Sequence, residues 1–149
     1  MSDLIIEFQR KLEPSELSRL ILGHMGQSAT QRTILVVEDE FFIRMSAVAT
    51  LEDAGFVVLE AKNSLEALDM LSRHVETNIL MTDVRMAGLM NGLALIAQVQ
   101  IDYPAIRSIV VSGDTSAEQA GNAGAFGFVA KPYLAKTIVQ AAHDTASRH

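Results

Sequence analysis

The sequence contains no cysteine, which excludes disulfide bonds and thiolate metal sites and is compatible with a reducing compartment. It has no apolar run long enough to span a bilayer, and its N-terminus lacks the basic start and apolar stretch of a secretory signal. Positive charge is scarce: 12 Lys and Arg stand against 18 Asp and Glu, and the net charge of −6 argues against binding to DNA phosphates. We therefore expect a cytoplasmic protein that binds neither nucleic acid nor membrane.

What the chain does contain is enough apolar sequence for one domain with a proper core. Of its 149 residues, 49% are hydrophobic and 20% are charged, which is a globular rather than a disordered balance. From residue 33 onward, short apolar runs alternate with longer helical patterns. The apolar runs predict five strands, at 33–37, 56–61, 78–82, 108–113 and 127–130. The patterns between and after them predict five helices, at 41–55, 63–74, 92–103, near 116–122 and at 133–147.

This alternation predicts an α/β fold with a doubly wound parallel sheet. Parallel strands need crossover connections, which are nearly always right-handed, and the helices in those connections cover both faces of the sheet. The first two helices also show apolar residues at helical spacing, which predicts their buried faces. These residues are Phe42, Met45, Ala49 and Leu51 in the first helix, and Leu65, Leu68, Leu71 and Val75 in the second.

The first 32 residues differ from the rest and predict a helical arm followed by a polar linker at 26–32, ahead of a domain over 33–149. Two short amphipathic patterns carry the apolar residues Leu4, Phe8 and Leu12, and Leu17, Leu20 and Ile21. Exposed apolar stripes usually mark interaction sites. We expect the arm to form a homodimer contact or to dock a partner, the alternative being that it packs on its own domain or frays.

Polar side chains follow four of the five predicted strands. They are Glu38, Asp39 and Glu40 after the first, Asp83 after the third, Ser112 at the end of the fourth and Lys131 after the fifth. Each has a structural explanation when taken singly, as a turn former, a helix cap or a solvated charge. Ligands of doubly wound sheets bind outside the carboxyl ends of the strands, so these groups are expected to meet.

Together these groups fit one chemistry, which is phosphoryl transfer. Clustered carboxylates suit Mg²⁺, which takes one or two of them and several waters. A hydroxyl and an ammonium group placed opposite can hold and neutralise the phosphoryl oxygens. A carboxylate beside the metal can itself act as the nucleophile and form an aspartyl-phosphate, and Asp83 is the candidate.

The motifs that carry these groups are "ILVVEDE", "MTDVRM…G…NGLALI", "IVVSG" and "GFVAKPY". In this order, residues 33–147 resemble the receiver domain of response regulators in two-component signalling. The resemblance implies a flavodoxin-like sheet with strand order 2-1-3-4-5, as in a chemotaxis member of that family. It also implies a domain that is not an ordinary enzyme but assists its own phosphorylation and dephosphorylation.

The resemblance implies that Asp83 is the phosphoacceptor and also one ligand of Mg²⁺. The other metal ligands would be Asp39, Glu38 through a water, and the main-chain carbonyl of Arg85.

Three further residues match positions that act on the phosphoryl group or respond to it. By resemblance, the Ser112 hydroxyl hydrogen-bonds the phosphoryl group, and the Lys131 ammonium contacts it. Phe128 matches the aromatic residue that changes rotamer on activation.

Two departures from the family pattern concern the loops around the site. Ala87 follows Met86 where the family usually has proline, so the turn loses a restraint on φ. The segment from Ser112 to Lys131 is shorter than usual by about three residues, close to one helical turn. A shorter fourth helix is therefore expected, on a face that commonly carries partner contacts in the family.

The leading hypothesis is a signalling switch that receives its phosphoryl group from a histidine kinase or a phosphotransfer protein. Only 18 residues follow Lys131, so we expect the switch to act on a downstream protein target by protein–protein contact. A receiver-like interaction module without phosphorylation is the alternative. A small phosphatase ranks last, because Arg85 stands where such enzymes carry a second acid. An ion pair between Arg85 and Asp114 is expected to slow hydrolysis of the phosphoryl group.

Overall fold

The computed structural model describes residues 31–147. The two helical patterns of the arm fall on residues 1–30 and lie outside this range, so the arm and its dimer contact stay predictions. No helix within residues 31–147 is long and apolar enough to cross a membrane.

Five parallel strands form one sheet. They are β1 (Thr33–Val37), β2 (Val57–Ala61), β3 (Ile79–Asp83), β4 (Arg107–Ser112) and β5 (Gly127–Ala130). The order across the sheet is β2-β1-β3-β4-β5, which confirms the predicted topology. Every residue of β1 is buried, as its continuous apolar run predicts for a strand covered on both faces.

Five helices connect or follow the strands: α1 (Phe41–Asp53), α2 (Ser64–Arg73), α3 (Gly92–Asp102), α4 (Ala117–Ala123) and α5 (Ala135–Ser147). Side chains of α1 and α5 share one core cluster with the sheet, and those of α2, α3 and α4 share the other. The predicted layers on both faces are therefore confirmed. Helix α4 has only seven residues, as the short segment between Ser112 and Lys131 predicts.

Local hydrogen bonds explain where several elements begin. The Asn63 side chain accepts a hydrogen bond from the Glu66 N–H (2.8 Å) and caps α2, and Asn91 caps α3 in the same way (2.9 Å to the Ala94 N). Strand β2 begins one residue later than predicted, because the Phe56 N–H donates to the Leu51 carbonyl (3.1 Å) and belongs to the turn after α1.

The predicted buried face of α1 is wrong for three of its four residues. Phe42, Met45 and Ala49 are exposed, and Leu51 alone of the four is buried. The remaining buried positions of α1 are taken by Ala47 and by Arg44. Because this helix is apolar on most of its surface, periodicity could not identify the side that faces the sheet.

The predicted stripe of α2 is also partly wrong. Leu71 is buried and Leu68 is half-buried, but Leu65 is exposed at the start of the helix. Val75 lies beyond the last helical residue and is exposed as well. The small residue Ala67 instead packs against the sheet, since it lets the helix come close.

Ser108 in β4 leads to a prediction about stability. Within residues 31–147 its Oγ is the only buried side-chain oxygen or nitrogen without a hydrogen-bond partner. A buried hydroxyl without a partner lowers stability by roughly 1–3 kcal/mol. Ser108→Ala should therefore raise the free energy of unfolding by about 1 kcal/mol in urea titrations.

Ser64 is the control for this substitution. It is equally buried, but its Oγ donates a hydrogen bond to the Met90 carbonyl (2.9 Å). Ser64→Ala should lower the free energy of unfolding by about 1 kcal/mol, the opposite sign for the same chemical change. Equal effects of the two substitutions would contradict the assignment of an unpaired hydroxyl.

Candidate functional site

The sheet register brings the predicted site residues to one edge. Asp83 is the last residue of β3 and pairs in register with Val111, and the next residue, Ser112, pairs with Ala130. Lys131 follows directly, and its N–H donates to the Ser112 carbonyl (2.9 Å). The carboxyl ends of β3, β4 and β5 therefore lie side by side, as expected for a parallel sheet.

The Lys131 ammonium joins two carboxylates. Its Nζ donates to Asp83 Oδ2 at 2.9 Å and to Glu38 Oε2 at 3.2 Å. These residues are 48 and 93 positions from Lys131 along the chain. The Val84 N–H donates to the other Asp83 oxygen, Oδ1, at 2.7 Å. Both oxygens of Asp83 are thus held by donors in the protein.

Glu38, Asp39 and Asp83 form an acidic cluster. One carboxylate oxygen from each lies within 4.8 Å of the others. Glu38 is buried, Asp83 is half-buried and Asp39 is exposed, so the cluster is open to solvent on one side. Carboxylates in this arrangement, with access for several waters, are a donor set that suits Mg²⁺.

Burial and neighbouring groups together shift the pKa values of Glu38 and Lys131. Burial raises the pKa of the Glu38 carboxyl; the charge of Lys131 lowers it and that of Asp83 raises it, and the net shift is upward. Burial alone would lower the pKa of Lys131, but its hydrogen bond to Asp83 and the charge of Glu38 outweigh burial and raise it. Lys131 is therefore cationic at neutral pH and supplies one positive charge beside the three acidic side chains of the cluster.

Asp39 faces the loop between β3 and α3. Its Oδ2 accepts a weak hydrogen bond from the Ala87 N–H (3.3 Å). Proline, which the resemblance leads one to expect at this position, has no N–H and could not make this bond. The loop and the acidic turn after β1 are linked across the cluster by this bond.

Ser112 lies at the predicted edge, and its hydroxyl already has partners. Its Oγ donates to Asp114 Oδ1 (3.2 Å) and accepts from the Thr115 N–H (3.1 Å). The hydroxyl is buried one residue beyond the register partner of Asp83. The Ser112 proton is thus used by Asp114 in this structure, and the hydrogen bond from Ser112 to a phosphoryl group stays a prediction.

Arg85 and Asp114 form the expected ion pair, which joins the loop after β3 to the loop after β4. The Arg85 side chain is largely exposed, so the pair is worth only about 0–1 kcal/mol of stability. Its effect on hydrolysis and the metal-ligand role of the Arg85 carbonyl both stay predictions.

Phe128 is not part of this cluster. It pairs in register with Val110, two positions before the pairing of Ser112 with Ala130. Its ring is half-buried against the core cluster on the α2, α3 and α4 side of the sheet. Its proposed change of rotamer stays a prediction.

The sequence reading missed Tyr133, which borders the site. It lines a small cavity of about 20 Å³ together with Glu38, Asp83 and Lys131. Burial raises the pKa of its hydroxyl, the charge of Lys131 lowers it and the two carboxylates raise it, with a net upward shift. An aromatic residue two positions after a lysine at a strand end was the available signal.

Comparisons with known proteins identify the family and support the fold. Residues 34–143 match the family model described as "Response regulator receiver domain". The sensor kinase CckA of Brucella abortus is 36% identical over 110 residues, which are 71% of this chain and 12% of that protein. The C4-dicarboxylate transport transcriptional regulatory protein DctD of Rhizobium meliloti is 36% identical over 113 residues, 74% of this chain and 24% of that protein.

A solved structure resembles the whole described fold. The crystal structure of a response regulator receiver domain protein from Clostridium thermocellum has a TM-score of 0.73 and 27% sequence identity, over 78% of this chain and 95% of that one. The chain spans at most about a quarter of the curated relatives named above. Because the family model covers most of the chain, the protein belongs to the response regulator receiver domain family of two-component systems.

Proposed function

We propose that Asp83 accepts a phosphoryl group and that the resulting acyl-phosphate is the signal this domain transmits. The supporting observation is the Asp83 carboxylate itself, which lies at a strand end within an acidic cluster and 2.9 Å from a cationic lysine. Membership of the receiver family implies phosphorylation-based signalling, and this geometry favours Asp83 as the residue that carries it.

The proposed donor is a phosphohistidine of a histidine kinase or a phosphotransfer protein. One carboxylate oxygen of Asp83 attacks phosphorus and forms a P–O bond, the P–N bond of the phosphohistidine breaks, and its electron pair stays on the imidazole, which takes up a proton. In this proposal, Lys131 and the Ser112 hydroxyl hold the transferred oxygens. Glu38, Asp39 and Asp83 would hold Mg²⁺, which supplies charge neutralisation for the phosphoryl oxygens when bound.

An exposed aromatic surface beside the site supports a protein donor. Phe41, Phe42 and Met45 on α1 are all exposed, and the two rings contact each other edge to face with centroids 5.4 Å apart. Next to them, an open groove of about 540 Å³ is lined by Phe42, Ile43, Ser46, Lys131, Pro132 and Tyr133. Exposed apolar patches of this kind mark protein contacts.

Phe42→Ala should therefore slow phosphotransfer from a cognate protein donor by about 10-fold, since an aromatic anchor at an interface contributes more than about 1 kcal/mol. It should leave phosphorylation by a small-molecule phosphodonor unchanged, because that reaction needs no docking surface. Leu65→Ala is the matched control, since Leu65 on α2 is 73% exposed and Phe42 is 71% exposed. Equal loss with both kinds of donor would place the defect in the site itself.

The test of the proposed function is labelling of the full chain with a small-molecule phosphodonor in the presence of Mg²⁺, followed by mass spectrometry. Stoichiometric, hydroxylamine-sensitive labelling of one aspartate is expected. Absence of the acyl-phosphate would favour the interaction module without phosphorylation, and continuous phosphate release without accumulation would favour a phosphatase. Action on a downstream protein target and the lack of binding to membrane stay proposals. The lack of binding to nucleic acid also stays a proposal, since one relative is a transcriptional regulatory protein.

A further inference from the structure

Arg44 is a charged residue in a buried position. It lies on the side of α1 that faces the sheet and is 7% exposed. Arginine is almost never fully buried unless it is paired. The hydrogen-bond acceptors around the Arg44 guanidinium therefore indicate its role.

Three groups surround the Arg44 guanidinium. Its Nη1 donates to the main-chain carbonyl of Glu38 at 2.7 Å, and its Nε donates to Glu60 Oε1 at 3.1 Å. The guanidinium also lies 5.6 Å from the centroid of the Phe41 ring. The planar fork of arginine thus reaches two acceptors at once, one at the end of β1 and one on β2.

The bond to Glu38 holds the acidic turn between β1 and α1. The Glu38 carbonyl belongs to the peptide that links Glu38 to Asp39, so its direction sets where the Asp39 side chain points. The backbone of the turn is also held by the Glu38 N–H, which donates to the Ala61 carbonyl (3.1 Å), and by a weak bond from the Glu40 N–H to Glu38 Oε1 (3.3 Å). The two acidic side chains accept further bonds from Lys131 Nζ and the Ala87 N–H. The N-cap residue of α1, Glu40, makes no side-chain capping bond.

We propose that Arg44 is a positioning residue for the metal-binding acids. It fixes the peptide between Glu38 and Asp39 through a short, charge-assisted hydrogen bond, so that both carboxylates face Asp83 before a cation binds. This role rests on the proposed function, which requires Mg²⁺ at these residues.

Packing alone does not account for an arginine at this position. A methionine of similar length would fill the space between α1 and β2 without the desolvation cost of a buried charge, and such replacements are often neutral or stabilising. What methionine cannot supply is a donor for the Glu38 carbonyl. Groups that hydrogen-bond to metal ligands and orient them typically lower metal affinity by about 10–100-fold when they are removed.

The test is Mg²⁺ affinity of the full chain, measured by isothermal titration calorimetry. Arg44→Met should raise the Kd for Mg²⁺ by about 10-fold or more. The rate of phosphorylation by a small-molecule phosphodonor should fall at low Mg²⁺ and return to within about threefold of wild type at saturating Mg²⁺. Arg44→Lys keeps a charged donor but its ammonium ends one bond short of Nη1, so it should raise the Kd by a smaller factor than Arg44→Met. It is the deciding variant if Arg44→Met does not fold.

Two controls separate positioning from general stability. Arg107 is half-buried at the opposite edge of the sheet, where its Nη1 donates to the Thr145 carbonyl (2.9 Å) and its guanidinium lies 4.8 Å from the Phe126 centroid. Arg107→Met should lower the melting temperature while the Kd for Mg²⁺ stays within about twofold of wild type. Glu60→Gln keeps an acceptor for Arg44 Nε and does not affect the bond from Nη1 to the Glu38 carbonyl. Its Kd for Mg²⁺ should therefore also stay within about twofold of wild type.

Each outcome has one meaning. If Arg44→Met folds and has the wild-type Kd for Mg²⁺, the positioning role alone is overturned. If Arg44→Met does not fold, a wild-type Kd in Arg44→Lys has the same meaning. If Glu60→Gln lost as much Mg²⁺ affinity as Arg44→Met, the effect would belong to the ion pair between Arg44 and Glu60. The role of the Glu38 carbonyl would then be overturned. A wild-type protein that neither binds Mg²⁺ nor forms an acyl-phosphate would overturn the proposed function and this inference with it.

Discussion

Asp83→Asn should abolish acyl-phosphate formation and leave a folded protein. The amide is not a nucleophile towards phosphorus, so labelling by a small-molecule phosphodonor should fall below the detection limit of intact-mass spectrometry. The fold should survive because the Asn carbonyl can still accept the hydrogen bond that the Val84 N–H gives to Oδ1 (2.7 Å). Lys131 keeps its second partner, Glu38, at 3.2 Å.

Asp102→Asn is the control for this experiment. Asp102 ends α3 on the surface, where it accepts a hydrogen bond from the Gln98 side chain (2.8 Å), and its substitution should leave labelling at wild-type stoichiometry. Full labelling of Asp83→Asn would show that another carboxylate, such as Asp39 in the same cluster, accepts the phosphoryl group. Thermal unfolding of both variants should be cooperative, which excludes loss of the fold as the cause.

The location of the site could be predicted from the sequence because the topology of a parallel sheet determines which residues meet. Apolar runs of four to six residues identified the strands, and a parallel sheet must bring their carboxyl ends together. That is how Asp83 and Lys131, 48 positions apart, could be expected in contact before any distance was known. The acids after β1 followed from the same argument, since β1 lies next to β3 in the sheet.

The orientation of individual side chains could not be predicted in the same way. In α1, apolar residues occur on nearly every side, so spacing alone gave Phe42 and Met45 as buried when they are exposed. Arg44 takes a buried position because two acceptors lie within reach, and those acceptors are at the ends of two different strands. Contacts of this kind depend on distances between elements, which a hydrophobic pattern does not contain.

Gly92 makes a second close contact that the hydrophobic pattern does not predict. It is the first residue of α3, and its N–H donates to the Val84 carbonyl (2.9 Å). A Cβ added at Gly92 would lie 1.9 Å from the carbonyl oxygen of Asp83 and 2.9 Å from the Cα of Val84. The backbone of the proposed phosphoacceptor therefore packs directly against a position that only glycine fits without movement.

Gly92→Ala should accordingly destabilise the protein and slow its phosphorylation. Helix propensity alone favours alanine by about 1 kcal/mol, so a net loss of stability identifies the steric clash as the larger effect. Relieving the clash requires a backbone shift of about 1 Å, and overpacking of this kind lowers the free energy of unfolding by about 1–3 kcal/mol or more. A shift of that size at a reacting group can slow the reaction by about 100-fold, here measured with a small-molecule phosphodonor at saturating Mg²⁺. Gly121→Ala in α4, where a Cβ meets nothing within 4 Å, is the matched control and should raise stability slightly without changing the rate. If Gly92→Ala behaved like Gly121→Ala, the position of Asp83 would not depend on this contact.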